Sequence, residues 1–219
     1  MKWRDALLGL AATLIIWQLL AWVINRPVFP PASQVLLVFV RHIGGSLGNH
    51  LLVSTGRVVA SIVVAVLLAV PCGLVLGQMR TLDRIFAPLI YIFYPIPKIV
   101  FLPVILILFG SGDGSKVLLV GLILFFQVLV VVRDQAAQLR PELIISVRSM
   151  GAGRRALVRF VYLPACVPAV LTGLRVSVGT AIAVLFIAET YATDAGLGYY
   201  IIVESWGALR YTQMYAGVL

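Results

Sequence analysis

The sequence predicts an all-α polytopic membrane helix bundle, and three observations carry that prediction. Hydrophobic residues make up 62% of the 219-residue chain and charged residues only 11%, against roughly 25% charged in an average soluble domain. Mean hydropathy is +1.08, more apolar surface than a soluble fold of this length can hide, because small chains leave a large fraction of their surface facing water. The apolar residues also cluster into stretches near the roughly 20 residues that a helix needs to cross a hydrocarbon core of about 30 Å. A cytoplasmic enzyme, a disordered protein and a disulfide scaffold are excluded. The two cysteines, Cys72 and Cys166, stand in separate apolar stretches without metal-ligand spacing.

The first stretch, residues 6–24, follows Lys2 and Arg4. It is long for the apolar part of a secretory signal and no small-x-small site follows at Asn25-Arg26-Pro27, so a retained span is expected. Residues 27–49 contain Phe29-Pro30-Pro31-Ala32-Ser33. Ser33 is the expected N-cap of an amphipathic helix carrying Val35, Leu36, Phe39 and Val40 along the outer membrane surface. A second span is predicted over residues 58–77. The third, residues 85–109, is interrupted by Pro88, Pro95, Pro97 and Pro103. The fourth, residues 117–132, is slightly short, and the fifth, residues 167–188, contains Arg175. Residues 211–219 begin a further apolar run that would need about ten more residues to span, so five to six spans are expected. Gly56, Ala60, Gly73, Gly77, Gly173, Ser177 and Gly179 are expected to serve close helix packing.

Lys and Arg outnumber Asp and Glu by 17 to 8, a balance that elsewhere would suggest nucleic acid. Here the basic residues lie in short segments between apolar stretches, where they record membrane orientation instead. Placing the N-terminus inside puts Lys2, Arg4, Arg80, Arg84, Arg133, Arg140, Arg148, Arg154, Arg155 and Arg159 on one side. Arg26, Arg41, Arg57, Lys116 and Arg210 fall on the other, with Lys98 and Arg175 inside spans. The bias predicts a cytoplasmic N-terminus and a cytoplasmic segment from Arg133 to Pro164.

That segment is the most informative part of the chain. Pro141 can open a helix, since the first helical position needs no N–H donor, and Gly151 suits the left-handed position past its end. Ile144, Val147 and Met150 share one side, with Arg148 and Arg155 nearby. The expectation is a short helix, a Gly-bounded turn, a second short helix from about Arg154 to Phe160, and re-entry into the membrane at Leu163-Pro164. Gly151-Ala152-Gly153-Arg154-Arg155-Ala156 also fits a relaxed dinucleotide fingerprint, but that fingerprint requires a preceding strand and a helical segment precedes it here. A structural helix–turn–helix and a coupling element remain the readings to weigh. No G-x-x-x-x-G-K-[ST] phosphate loop occurs, so ATP hydrolysis by this chain is not expected.

In this segment the chain resembles the permease subunits of binding-protein-dependent ABC importers. Their last long cytoplasmic loop carries Glu-Ala-Ala, three residues, Gly, nine residues and Ile-x-Leu-Pro. Gly151 and Val161-x-Leu163-Pro164 keep that spacing, whereas Ile145, Ser146 and Val147 occupy the Glu-Ala-Ala positions and Glu142 stands one turn early. Ser54-Thr55-Gly56-Arg57, Tyr94-Pro95-Ile96-Pro97-Lys98, Phe109-Gly110-Ser111-Gly112-Asp113-Gly114-Ser115-Lys116, Thr172-Gly173-Leu174-Arg175, Ala188-Glu189 and Gly196-Leu197-Gly198-Tyr199 follow in order. Together they are similar to the nitrate, taurine and aliphatic-sulfonate branch.

The resemblance implies a type I ABC importer permease fold. Residues 1–53 would form the N-terminal transmembrane helix and outer-face linker, and residues 54–219 the permease domain, with a C-terminus that looks incomplete. It implies a multi-pass protein of the bacterial inner membrane, a second permease copy (a homodimer), a separate ABC ATPase subunit and an extracytoplasmic solute-binding protein. The chain itself would hold no cofactor, ATP being bound by the ATPase, and no metal, and would contact lipid but not nucleic acid. Glu142, Ser146, Arg148, Gly151, Ala152, Arg154, Arg155, Leu163 and Pro164 are the expected ATPase-coupling residues.

The expected translocation-path residues are Pro95, Pro97, Lys98, Arg175 and Glu189. The prolines remove amide donors and break a helix, and broken helices line transporter paths because freed backbone groups need a polar surrounding. A structural kink is the equal alternative for that segment. Intramembrane Arg175 either faces an anionic cargo or snorkels to the inner interface, the second being preferred. Glu189 opens an outer segment, residues 190–204, that reads as a gate, a binding-protein contact or a plain loop. His42 and His50 read as interfacial residues without acidic companions. The cargo expected from the resemblance is a small anion such as a sulfonate, taurine or nitrate. A self-contained secondary transporter or channel, and a non-transporting membrane scaffold, are the rival classes.

Overall fold

A computed structural model of the chain describes residues 3–191 and 193–219. Lys2, which enters the charge count, and Ala192, in the outer segment, lie outside the described residues. The described elements are helical throughout. They run α1 (Trp3–Ile24), α2 (Ala32–His42), α3 (Ser46–Gln78), α4 (Arg80–Phe93), a 3-10 turn Lys98–Phe101 leading into α5 (Leu102–Phe109), and α6 (Asp113–Ala137). Then come α7 (Pro141–Ser149), α8 (Arg154–Leu157), a wide π turn Val158–Tyr162, α9 (Leu163–Ala188), a second π segment Tyr199–Trp206, and α10 (Tyr211–Val218).

Among the described residues, four helices are long and apolar enough to cross a membrane: Trp3–Ile24, Ser46–Gln78, Asp113–Ala137 and the continuous run Arg154–Ala188. α4 and the Lys98–Phe109 helix meet at 82° and are long and apolar enough together to make a fifth, broken span or a re-entrant loop. Several sequence expectations change here. The second span extends well before residue 58. The fourth is 25 residues long rather than short, because Asp113 and Arg133 are drawn into the helix by ion pairs. Of the four prolines, only Pro95 and Pro97 break the third span. Pro88 is carried inside α4, and Pro103 stands in the first turn of α5, where a missing N–H costs nothing. At residues 163–164 the helix is continuous, the π turn joining α8 to α9 without a gap.

Internal contacts divide the chain into two compact units, Met1–Thr55 with Phe186–Leu219, and Gly56–Leu185. In the first, α10 packs on α2 and on the Tyr199–Trp206 segment, and α1 meets α2. Ser33 is not a cap: α2 is preceded by Pro31 without a side-chain cap, and Ser33 N–H donates instead to Gln18 Oε1 of α1 at 3.1 Å. Val35 is fully buried, whereas Leu36 and Val40 are exposed, so only part of the predicted apolar face packs inward. Trp17, Phe29 and Tyr215 form a ring cluster with centroids 5.8–6.5 Å apart. Leu47, Tyr200 and Ile201 form the local core.

The second unit is organised around α6. Half of its apolar window is buried, so α6 is the central helix of this unit. Val128, Leu129 and Val132 of α6 pack with Ala69 and Leu74 of α3 and with Leu157, Tyr162 and Cys166. Val120 and Leu124 pack with Ala65 of α3 and with Ala181 and Leu185 of α9. At its lower turns α3 approaches α6 backbone to backbone: a Cβ on Gly77 would lie 2.5 Å from the Arg133 carbonyl oxygen, and one on Gly73 2.9 Å from Val132. Gly173 is in ordinary contact with Val131, while Gly56 and Gly179 have open space around them. Only part of the predicted small-residue set therefore serves close packing.

Gly77→Ala is expected to lower thermal stability in detergent by about 1–3 kcal/mol through overpacking. Gly179→Ala, at an open site, is expected to be neutral or to stabilise by up to about 1 kcal/mol from helix propensity. Melting of the two variants against the parent checks the contrast.

Candidate functional site

The segment from Arg133 to Pro164 folds as an elbow. Arg140 precedes α7 in extended conformation, Pro141 fills its first helical position, and Glu142 stands in the first turn, where a carboxylate complements the helix dipole. Gly151 closes the helix with φ +84°, its N–H donating to the Arg148 carbonyl at 2.9 Å. A side chain there would strain the backbone. Ala152 and Gly153 turn the chain, and Gly153 leads into α8.

The elbow has two faces. Ile144 and Val147 of α7 pack against the core cluster that includes Leu157, Val161 and Tyr162. Glu142, Ser146, Arg148, Gly151, Arg154, Arg155, Leu163 and Pro164 are exposed, and Ala152 is half-buried. Met150, which the spacing places on the side of Ile144 and Val147, is 75% exposed, because the helix has already ended and Gly151 turns the chain away. Ile145 and Phe160 are also exposed. The result is a mixed apolar and basic surface, backed by a packed core.

Two ion pairs brace the same unit. Arg133 grips Asp83, in the first turn of α4, with Nε and with Nη2, the latter at 2.9 Å, and lies over the Tyr91 ring. This two-pronged geometry is the strong form of an arginine–carboxylate contact. Arg57 of α3, buried, donates through Nε at 2.8 Å to Asp113, which opens α6. Next to it, Ser115 and Lys116 reach back to the carbonyls of Gly110 and Ser111 and lock the turn before α6, where Gly110 has φ +77°.

At the broken span, Pro95 and Pro97 contribute no amide hydrogens and Pro97 is extended. Lys98, 8% exposed, answers the break: its ammonium donates to the carbonyls of Phe93, Tyr94 and Ile96 at 2.9, 3.0 and 3.3 Å and lies over the Phe126 ring at 4.8 Å. Phe93 closes α4, and Tyr94 and Ile96 lie in the turn where the two prolines supply no N–H donors. Arg175 is exposed on α9 and does not share the cavity that Lys98 borders.

Glu189 is fully buried, and the structure brings to it residues the sequence left unpaired. Ser54 Oγ lies 2.8 Å from both carboxylate oxygens, and Gly198 N–H donates to Oε2 at 3.0 Å. The Ser54 hydroxyl in turn accepts the Leu197 N–H at 2.8 Å. His50 is not a plain interfacial residue: its Nδ1 accepts the Gly196 N–H at 3.0 Å, and its Nε2 is 3.2 Å from Glu204. A donor at Nδ1 places the ring proton on Nε2, facing that carboxylate. Gly196 has φ +117°, and a Cβ there would overlap the Glu189 carboxylate. The ring of fully buried Tyr200 packs 5.4 Å from His50; burial, with the Glu204 charge adding to it, pushes its phenol above the ordinary tyrosine value. These contacts latch residues 193–204 in place.

The family resemblance marked Ser54, Glu189 and Gly196–Gly198 separately, but not their union. No group of three metal-ligating side chains occurs among the described residues.

Residues 61–219 match the family model described as binding-protein-dependent transport system inner membrane component. The chain is 32% identical over 213 residues to the taurine transport system permease protein of Escherichia coli, covering 94% of this chain and 77% of that protein. It is 33% identical over 199 residues to a putative ABC transporter permease of Methanocaldococcus jannaschii, covering 88% and 74%. A putative aliphatic sulfonates transport permease of Bacillus subtilis is 26% identical over 220 residues, covering 99% and 79%.

Glu189→Ala is expected to cost about 2–3 kcal/mol of stability, since it strands a buried hydroxyl and amide by removing their acceptor. Limited proteolysis should cut residues 190–198 faster in this variant and in Gly196→Ala. Unchanged cleavage in both would remove the latch from the account.

Proposed function

The chain belongs to the binding-protein-dependent transport system inner membrane components, and on that premise we propose that the α7–α8 elbow is the lever through which an ATPase subunit works its spans. As a member, it is the transmembrane subunit of an ABC importer: a transport component rather than an enzyme, seated in the inner membrane. Its family implies a separate ATPase and a solute-binding protein as partners.

The observation that carries the lever is the elbow's two-faced build. Exposed Glu142, Ser146, Arg148, Gly151, Arg154, Arg155, Leu163 and Pro164, with half-buried Ala152, form the surface offered to a groove on the ATPase, a helix-in-groove contact. Ile144 and Val147 pass the load to the core. Because α8, the π turn and α9 run on as one 35-residue helix, roughly 50 Å long, displacement of the elbow moves a whole span. ATP stays with the ATPase, and this chain carries no cofactor or metal of its own. Closure of the ATPase pair biases the path toward one side of the membrane, and a loaded binding protein biases the same equilibrium.

The path itself runs by Pro95, Pro97 and Lys98, Arg175 stays exposed on α9 outside the cavity beside Lys98, and Glu189 latches residues 193–204. A second permease copy completes it, as the resemblance implies. The bias of basic residues supports a cytoplasmic N-terminus and elbow. The names of the Escherichia coli and Bacillus subtilis relatives and the buried cation at Lys98 support a small sulfonate as cargo.

Gly151→Pro decides the lever. Proline cannot adopt the φ of +84° found here, so ATP-driven uptake by the complete complex should fall at least about tenfold, a loss of about 1.4 kcal/mol in coupling. Membrane insertion should be retained; normal uptake would overturn the docking role. A Ser149→Cys variant should be labelled by an impermeant thiol reagent only from the inner side, and labelling from outside would reverse the orientation.

A further inference from the structure

The break at Pro97 borders a cavity of about 280 Å3, close to the lower end of the roughly 300–1,000 Å3 range of small-molecule sites. Lys98 and Phe126 form one side, and Gln127 of α6 and Thr180 of α9 bring further polar groups to the lining. Three features give this space a chemical preference.

The first is charge. The three carbonyls around Lys98 are dipoles, so they satisfy its N–H groups without cancelling its charge. No carboxylate lines the cavity, and among the described residues no ion pair to Lys98 occurs. An uncompensated cation in a low-dielectric, partly enclosed space draws an anion far more strongly than it would in water. The second is a waiting acceptor: Gln127 Oε1 is buried and has no hydrogen-bond partner among the described residues. Buried amide oxygens are nearly always paired, so this one calls for an N–H or O–H donor from whatever enters. The third is the apolar remainder, Ile123, Phe126 and Val184, which suits a short hydrocarbon body.

We infer that this cavity is a cargo-contact site for a small aminoalkyl sulfonate, with Lys98 supplying the field for the sulfonate and Gln127 Oε1 accepting from the amine. The inference rests on the importer reading above and adds to it the side chains that read the solute. Gln127 and Thr180 were not singled out in the sequence, because a glutamine and a threonine in apolar runs carry no motif.

The test needs no binding protein. Thr180→Cys is introduced together with Cys72→Ser, the Cys72→Ser protein serving as background, in the permease–ATPase complex in proteoliposomes. Two thiol reagents of similar size are compared, sulfonatoethyl and trimethylammonioethyl methanethiosulfonate, each rate being normalised to that of a small free thiol. The anionic reagent should react about tenfold faster, the lower end of what a focused field achieves. Taurine should slow the reaction severalfold. Gln127→Met, of similar volume, should abolish protection by taurine and leave protection by ethanesulfonate, which lacks the amine. Equal rates for the two reagents, no reaction in any nucleotide state, or protection by taurine that survives Gln127→Met would each overturn the site. Uptake of taurine by the parent complex with its binding protein is measured in parallel. Absence of uptake overturns the cargo reading, whereas uptake alongside an unprotected cysteine overturns this site alone.

Discussion

A helix broken inside hydrocarbon must find partners for the carbonyls it frees, because no water is there to take them. Lys98 meets that constraint here. Its one ammonium group collects three backbone oxygens at the end of α4, and the 82° bend into the Lys98–Phe109 helix becomes tolerable. A side chain without donors at this position would take this partner from the Phe93, Tyr94 and Ile96 carbonyls, and a longer apolar helix would erase the bend and the cavity beside it. The same solution recurs at the turn before α6, where Ser115 and Lys116 satisfy the carbonyls of residues 110–112. In both places a basic residue is folded back onto its own backbone.

The elbow works by a different logic. Its inner face is ordinary core, and its outer face is left to a partner. What makes it more than a surface loop is continuity. The π turn between α8 and α9 absorbs the extra residue a straight helix would refuse, so the chain passes from elbow to span without a joint. Arg133 adds a second tie by gripping Asp83, which holds the start of α4 to the end of α6. The elbow therefore rests on a braced platform.

The architecture was legible where physics is local. Apolar stretches of sufficient length announced the helices, Pro141 and Gly151 marked the bounds of α7, and the paired Pro95 and Pro97 marked the break. Reading failed where a partner lies far along the chain. Nothing near Ser54 indicates that it meets Glu189, 135 residues away, and His50 looked idle because Gly196 and Glu204 are distant in sequence. Ser33 showed the opposite error: a local capping preference yielded to a contact with Gln18 of α1. The fourth span read as short because Asp113 and Arg133 count against hydropathy, although each is neutralised by an arginine or aspartate on a neighbouring helix. Ion pairs of this kind are invisible to a window that scores residues one at a time.

The close approach of α3 to α6 at Gly73 and Gly77 has a mechanical corollary. With main chain against main chain, neither helix can slide or roll past the other without a steric collision, so this part of the two travels as a single plank. Any stroke that reopens the path has to be taken up by looser seams: the kinked α4–α5 hinge, or the lipid-bathed flanks where larger side chains leave play.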